Sequence, residues 1–568
     1  MLQLKSWKIA FAVGLVFAVL FCVSGAYAQG PVMSPLNPQD SIELPPGMGF
    51  IPPRVDLSHL AKAKSLPGFG SVVLPVRWDL RTEGVVTSVK NQGACGSCYA
   101  FMSTAAMESR VALDGGGTFD FSENNAKECN YLDPSCGGGN FEMVANVFSQ
   151  TGTVLETCDP YVASDVSCET SCSYNKALLG WNIISANSIP DPSVIQNYLY
   201  TEGPFYTSIF AGDGSASAWQ SEFGSYNGSY VLRYTGTNTP NHAALIVGWD
   251  DTIPHAGGNG AWIVKNSWGT GWGGTCDYGT EGGFYYIAYG SAGFGKYTSF
   301  VNDWQDVNVN DNILFYDEAG WTNQWGYGSS IAWGMVKFTL TEDAFINRVE
   351  FWTDDSPTDV DVYVYDDFSG VTLSNLITSE LGTTFELAGY HSVQLSSPPE
   401  IATGNDIYIA VKFTNNSYGF PVVADGEGPT ETGKTYLSPT GSSWSDMGEN
   451  FSDVAIRVRT SPTLVLSTDD EDEPLPFRFE LKNNYPNPFN PTTTIEYTIP
   501  VKSEVDISIF NLLGQRVKTI VNGEESAGEH SVSWDGTDFS GSRVASGIYL
   551  YRIVAGDNTQ TKKMMFIK

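Results

Sequence analysis

Two cysteines three positions apart, Cys95 and Cys98, enclose Gly96 and Ser97 in the stretch Asn91-Gln92-Gly93-Ala94-Cys95-Gly96-Ser97-Cys98-Tyr99-Ala100-Phe101. The small residues let the backbone turn sharply into a helix that opens at Cys98. Such a start aims unpaired backbone N–H groups and the positive end of a helix dipole at one sulfur, which favours thiolate over thiol. A Cys-x-x-Cys pair also serves redox and zinc chemistry. No second pair stands at zinc-finger spacing and no strand–helix repeat surrounds this one, which weighs against both. A nucleophilic cysteine needs a base that is far along the chain but near in space. The histidines are His59, His242, His255, His391 and His530. His242 sits in the apolar run Asn241-His242-Ala243-Ala244-Leu245-Ile246-Val247-Gly248-Trp249, where a buried strand would carry it inward. A lone histidine in such a strand is ordinarily a core residue.

A third segment, Gly260-Ala261-Trp262-Ile263-Val264-Lys265-Asn266-Ser267-Trp268-Gly269-Thr270-Gly271-Trp272-Gly273, follows. In this order the three segments resemble the Cys, His and Asn segments of papain-like cysteine proteases. The separation of Cys98 from His242 falls inside the roughly 130–150 residues typical of those enzymes, and that from Cys98 to Asn266 is longer. An inserted exposed loop from Thr252 to Asn259, carrying His255, would account for the excess. The resemblance implies that Cys98 attacks a peptide carbonyl, that His242 carries the proton, and that Asn266 orients the imidazole. It also implies that Trp268 shields that contact beside the substrate, and that Gln92 with the Cys98 N–H forms an oxyanion hole. Tyr99 and Met102 replace the residues most common there, changes expected to touch packing more than chemistry. Cys136-Gly137-Gly138-Gly139-Asn140 is similar to the family's glycine shelf, where Gly138 and Gly139 would let a substrate backbone approach closely; the plainer alternative is a simple turn. Ser208 and Ala243 align with walls of the main specificity pocket. The family pattern pairs Cys95 with Cys136, and Cys129 with Cys168 or Cys172. Excluding Cys22 and Cys98 leaves an odd number of cysteines (the others are Cys158 and Cys276), so at least one more thiol stays free or pairs between molecules.

The elements that would position these groups suggest a multidomain chain, α+β and all-β: a two-lobed papain-like protease with a helical lobe and a β-rich lobe, followed by two β-sandwich domains. The run after Cys98 carries Ala100, Phe101, Ala105, Val111 and Leu113 on a helical face. Lys5 and Lys8 before the apolar run Ile9 to Val23, and Ala26-Tyr27-Ala28 after it, read as a signal peptide over 1–28, with a membrane anchor as the alternative. Residues 29–73 are a short propeptide or linker, too short for the helical propeptide common in the family, which puts latency by that route in doubt. The protease domain is expected over 74–301. Alternating runs such as Asp361-Val362-Tyr363-Val364-Tyr365 read as sandwich strands, and the block Trp333 to Val458 looks like a lectin-like β-sandwich, placed at 302–461. Asp354, Asp355, Asp359 and Asp361 lack calcium-loop spacing and read as a solvated acidic loop. An acidic linker occupies 462–477. The segment Asn484-Tyr485-Pro486-Asn487-Pro488-Phe489-Asn490-Pro491 and the C-terminal Lys562-Lys563-Met564-Met565-Phe566-Ile567-Lys568 resemble the type IX secretion sorting domain, placed at 478–568.

A formal charge of −33 makes nucleic acid a poor partner. Aromatic residues reach 13% while charged residues make up only 16%, a balance that suits exported β-rich domains rather than disorder. Cysteines clustered between 95 and 172 fit disulfides in an oxidising compartment. The expectation is a secreted cysteine endopeptidase of polypeptide substrates, with no cofactor and no metal, and no membrane span once the signal is removed. It would reach the cell exterior through the periplasm of a Gram-negative bacterium, using type IX machinery, with cell-surface glycans as further partners. The competing reading is an inactive protease fold on a surface protein that binds carbohydrate or protein through its sandwich.

Overall fold

The computed structural model describes residues 30–37, 44–60, 74–464 and, in the C-terminal region, 480–567 apart from 483, 500–502, 512–514, 527 and 556–557. The expected signal peptide and the acidic linker beyond residue 464 lie outside the described residues.

Helix α1, Cys98–Leu113, is buried from Cys98 to Val111 rather than along one face. A helix hydrophobic on only one stripe can be buried all round if its polar residues find partners inside. Glu108 does so: its Oε1 accepts from Phe121 N–H at 2.9 Å and from Lys90 Nζ at 3.2 Å. Around α1 pack helices α2, Glu123–Glu128, and α3, Phe141–Gln150, each started by a side-chain cap from Ser122 or Asn140. Disulfides Cys95–Cys136, Cys129–Cys168 and Cys158–Cys172 cross-link this helical half. The open choice for Cys129 thus resolves to Cys168, and the extra free thiol is Cys276, buried.

Facing the helices is one twelve-stranded sheet that does not stop at the protease boundary. Its path runs through Phe284–Ala288, Gly258–Lys265, His242–His255, Phe205–Ile209, Lys296–Asp306 and Lys176–Ser185. It then continues into Gly389–Gln394, Ala344–Thr353 and Ile456–Ser461 of the next domain. Gly389 pairs with Asn182 and Tyr390 with Trp181 at the seam. A Cβ on Gly389 would stand 2.0 Å from the Trp181 carbonyl oxygen, so the seam closes only around glycine. Buried Arg457 adds a polar tie: it pairs with Asp317 and donates to Ser149 Oγ of α3 at 2.7 Å. The two domains therefore share a sheet and a buried hydrogen bond from the charged Arg457 to Ser149.

The proposed loop from Thr252 to Asn259 is instead the tip of a long hairpin. Pro254 pairs with Asn259 and His255 with Gly258, so the strands continue through the insertion. In the following sandwich, a six-stranded sheet packs against the extension of the large sheet over Val336, Ile346, Phe351, Val360, Ile409 and Phe413. The expectation of a solvated acidic loop fails for Asp354 and Asp355. Both are buried: Asp354 accepts from Asn415 Nδ2, and Asp355 Oδ2 accepts from the N–H groups of Ser417 and Tyr418. Asp359 and Asp361 lie in the strand Thr358–Phe368. The C-terminal region is a separate sandwich of three- and four-stranded sheets around Ile495, Ile507, Trp534, Tyr551 and Phe566. Among the described residues, no helix is long and apolar enough to cross a membrane.

Residues 30–37 and 44–60 form a strap that lies across both bodies and buries Met48, Phe50, Val55 and Leu57 against them. Val32–Met33 adds an edge strand to a four-stranded sheet of the sandwich by pairing with Gly326 and Trp325. Residues 44–51 cross the protease cleft, and Arg54 to Leu60 return to the sandwich.

Candidate active site

Cys98 is the first residue of α1, so its sulfur sits among the unpaired N–H groups of a helix start. Ala243 N–H, from the strand that also carries His242, donates to the sulfur at 3.3 Å. His242 and Asn266 are fully buried, on neighbouring segments of the sheet. The imidazole Nε2 and Asn266 Oδ1 are 2.8 Å apart, and the same oxygen accepts from Ser267 N–H at 2.8 Å. An oxygen that accepts from a backbone N–H accepts from the ring as well, which fixes the proton on Nε2 and the lone pair on Nδ1. Nδ1 is buried without a hydrogen-bond partner among the described residues. Trp268 packs on the ring with centroids 5.0 Å apart and is braced by Phe223 and Trp272. Gln92 is held by its N–H to Ser267 O at 2.8 Å, and its Oε1 accepts from Ser267 Oγ. Its Nε2 donates to Cys95 O at 2.7 Å and to Gly47 O of the strap at 3.2 Å. The structure thus brings Gln92, Cys98, His242, Asn266 and Trp268 together. His255 stays at the hairpin tip, where its Nδ1 accepts from Gly257 N–H.

Gly139 lies across the cleft and holds the strap as a strand: its N–H donates to Gly49 O and its carbonyl accepts from Ile51 N–H, both at 2.9 Å. Phe50, paired in parallel with Gly139, donates its N–H to Asn241 O at 3.1 Å on the other wall. Its ring is buried with Ala243, Tyr206 and Phe141 and lies 5.3 Å from that of Tyr297. Ser208 and Ala243 are cross-strand partners on this floor, though the Ser208 hydroxyl is turned to the Lys296 carbonyl. Gly138, beside the shelf, adopts a left-handed backbone with φ of 101°. Sequence reasoning did not find Phe50, Asn241, Tyr206 or Tyr297. Only Asn241 and Tyr206 lay next to recognised residues, and nothing in a Pro- and Gly-rich segment marked Phe50.

Burial sets the electrostatics. Burial pushes the Cys98 thiol up to about 12, against backbone N–H groups of Ala243 and Gly49 that favour the thiolate. Burial likewise lowers His242 to about 4, with Asn266 acting in the opposite sense. Both groups are therefore neutral beneath the strap.

Comparison with known proteins agrees with this architecture. Residues 74–302 match the family described as papain family cysteine protease. This segment has the fold of a papain-like cysteine protease domain. Residues 313–460 match a lectin-like domain and residues 490–559 a FlgD Ig-like domain. Cathepsin L1 of Drosophila melanogaster is 34% identical over 207 residues, covering 36% of this chain and 52% of its own length. Cysteine proteinase 1 of Dictyostelium discoideum is 32% identical over 236 residues, covering 38% and 62%. The chain thus spans about half to three fifths of the length of these curated relatives. These matches support a cysteine-type peptidase. The cysteine protease and lectin-like domains of Cwp84, a surface layer associated protein of Clostridium difficile, share the fold. Their TM-score is 0.59 at 18% identity, over 74% of this chain and 93% of that one.

Proposed function

We propose that the chain is a secreted cysteine endopeptidase kept latent by its own strap. The observation that carries this reading is the fixed imidazole, with Nε2–H donating to Asn266 and the lone pair left on Nδ1, in a cleft that also holds Cys98. Once the strap has gone, the Cys98 proton passes to Nδ1 and the thiolate adds to a peptide carbonyl. Gln92 Nε2 and the Cys98 N–H then receive the oxyanion in this reading; the Gly47 carbonyl occupies the first of these donors in the latent state. Imidazolium returns the proton to the leaving amine. Water, deprotonated by the same ring, then cleaves the thioester and regenerates the thiol. Three further assignments belong to this proposal: a signal peptide at 1–28, a type IX sorting role for 478–568, and glycan binding by the lectin-like domain at an exposed cell surface.

The test uses strap-free protein and a short fluorogenic peptide. Cys98→Ala should reduce hydrolysis by at least about a thousandfold, with His242→Ala nearly as severe because neither group works alone. Asn266→Ala should be milder, since only the ring's orientation and tautomer are lost. Gln92→Ala should lower kcat by roughly 100- to 1,000-fold. Appreciable hydrolysis by Cys98→Ala would leave the inactive, surface-binding reading in possession. Deleting everything after Pro476 should block export in a host with type IX machinery while sparing peptide hydrolysis.

A further inference from the structure

We propose that the sandwich face on which the strap is anchored becomes, after the strap is removed, a docking site for the polypeptide substrate outside the catalytic cleft. The inference rests on the protease reading and on the strap being a removable segment.

Three observations carry it. First, Val32–Met33 is the outermost strand of its sheet, and its removal turns Asn323–Gly326 into an open edge. The contact is a short antiparallel ladder: Val32 faces Gly326, Met33 faces Trp325, and Ser34 N–H donates to Gln324 O at 2.9 Å. Backbone groups on such an edge accept an extended chain almost irrespective of its sequence. Second, the site holds polar groups that the strap serves. The Gln324 side chain is fully buried, its Oε1 accepts from Ser34 Oγ and Tyr418 OH, and its Nε2 has no partner among the described residues. Losing Ser34 leaves Gln324 Oε1 with Tyr418 OH alone and Nε2 still unpaired, two positions that a hydroxyl or amide of another chain can fill. Beside it, the Tyr418 ring lies flat on His59, with centroids 3.6 Å apart and planes within 1°. Strap removal bares a ring face suited to a flat side chain.

Third, the face and the cleft are traversed by one polypeptide. The strap leaves the Gly139 shelf at Ile51, and residues up to His59 lead to Tyr418. Leu36 bridges to Val55 on the way, so both anchored stretches lie side by side. Eight residues of extended chain reach up to about 27 Å, so a substrate seated on the shelf can touch the sandwich without leaving the surface. The occupant is therefore an extended polypeptide with a small hydroxyl or amide residue for Gln324 and a planar residue for Tyr418. The shared sheet holds the face at a fixed position relative to the cleft, which converts two weak contacts into one effective binding event.

The test compares two substrates on the strap-free full chain: an unfolded protein and a short fluorogenic peptide that fills only the cleft. Tyr418→Ala should lower kcat/KM on the unfolded protein by about five- to tenfold while changing the short substrate less than about twofold. Independently of any variant, a free peptide of residues 30–37 should inhibit hydrolysis of the unfolded protein and leave the short substrate untouched. Equal effects on both substrates, or no discrimination by the peptide, would overturn the docking site while leaving the protease reading intact. Inhibition by a soluble glycan in place of the peptide would overturn it in favour of a sugar site. Failure of the strap-free wild type to cleave the short substrate overturns the protease reading and this proposal with it.

Discussion

The strap meets two surfaces, and it is held differently on each. In the cleft its partners are mostly backbone: Gly47 N–H to Ala94 O, Gly49 O to Gly139 N–H, Phe50 N–H to Asn241 O and Ile51 N–H to Gly139 O, with Gln92 Nε2 and Asn140 Nδ2 adding side-chain donors to Gly47 O and Ile51 O. On the sandwich, side chains do more of the holding, through Ser34 with Gln324, His59 on Tyr418, and Arg54 with Glu427. A backbone track tolerates many sequences and is sensitive mainly to where a Cβ cannot fit. A side-chain anchor is sensitive to residue identity and to solvent conditions. Latency in this protein thus has a steric half and a chemical half, and they can be separated.

The largest effect should come from the steric half. A Cβ on Gly49 would stand 1.9 Å from the Gly96 carbonyl oxygen and 2.2 Å from its carbon, both backbone atoms that cannot swing aside. Gly49→Val should therefore lift the strap from Cys98 while Val32–Met33 and His59 remain docked. Alkylation of Cys98 in the uncut chain should accelerate at least about tenfold, a change of about 1.4 kcal/mol in the closing equilibrium. An unchanged alkylation rate would mean that the backbone track does not hold the cleft shut.

A second effect distinguishes pH from sterics. His242 beneath the strap and His59 within it both have pKa values lowered by burial, His242 to about 4. Asp355 and Asp56 act on His59 in the raising direction but do not cancel the burial. A histidine held below its free value stabilises the closed state fully above about pH 6.5, and that stabilisation is lost as pH falls toward the buried value. Acid should therefore open the strap. In the Cys98→Ala chain, protection of the Phe50 and Ile51 amides, corrected for intrinsic exchange, should fall between pH 6.5 and 4. Flat protection across that range would show that neither histidine controls closure.

The same contrast explains what was legible in the sequence. Cys98, His242, Asn266 and Gln92 sit in glycine- and tryptophan-marked segments whose local geometry is nearly self-specified, so the structure assembles residues that sequence reading had already chosen. The strap has no such marking. Pro and Gly give residues 44–54 no periodicity, and their course is dictated by the surfaces they lie on rather than by their own propensities. Cys129 had two candidate partners at similar spacing, and only the packed fold distinguishes Cys168 from Cys172. Pro254 and two following glycines suggested a loop, yet cross-strand pairing to Asn259 carries the hairpin through them. Asp354 and Asp355 looked solvated because the donors that bury them, Asn415, Ser417 and Tyr418, are about sixty residues away. Long-range partners were the common omission.

The smallest expected effect lies in the chemical half, at Arg54 and Glu427. The two side chains are paired but remain 37% and 40% exposed, so water and salt compete with their attraction. Exposed pairs of this kind contribute roughly 0–1 kcal/mol. Arg54→Gln should therefore raise Cys98 alkylation in the uncut chain by no more than about fivefold at low ionic strength. Adding salt to about 1 M, where the screening length is about 3 Å, should erase most of the difference from wild type. Gly49→Val, whose effect is steric, should keep its advantage under the same salt. If the Arg54 effect survived high salt, its guanidinium would be holding the strap by packing rather than by charge, and the division between the two surfaces would need redrawing at that residue.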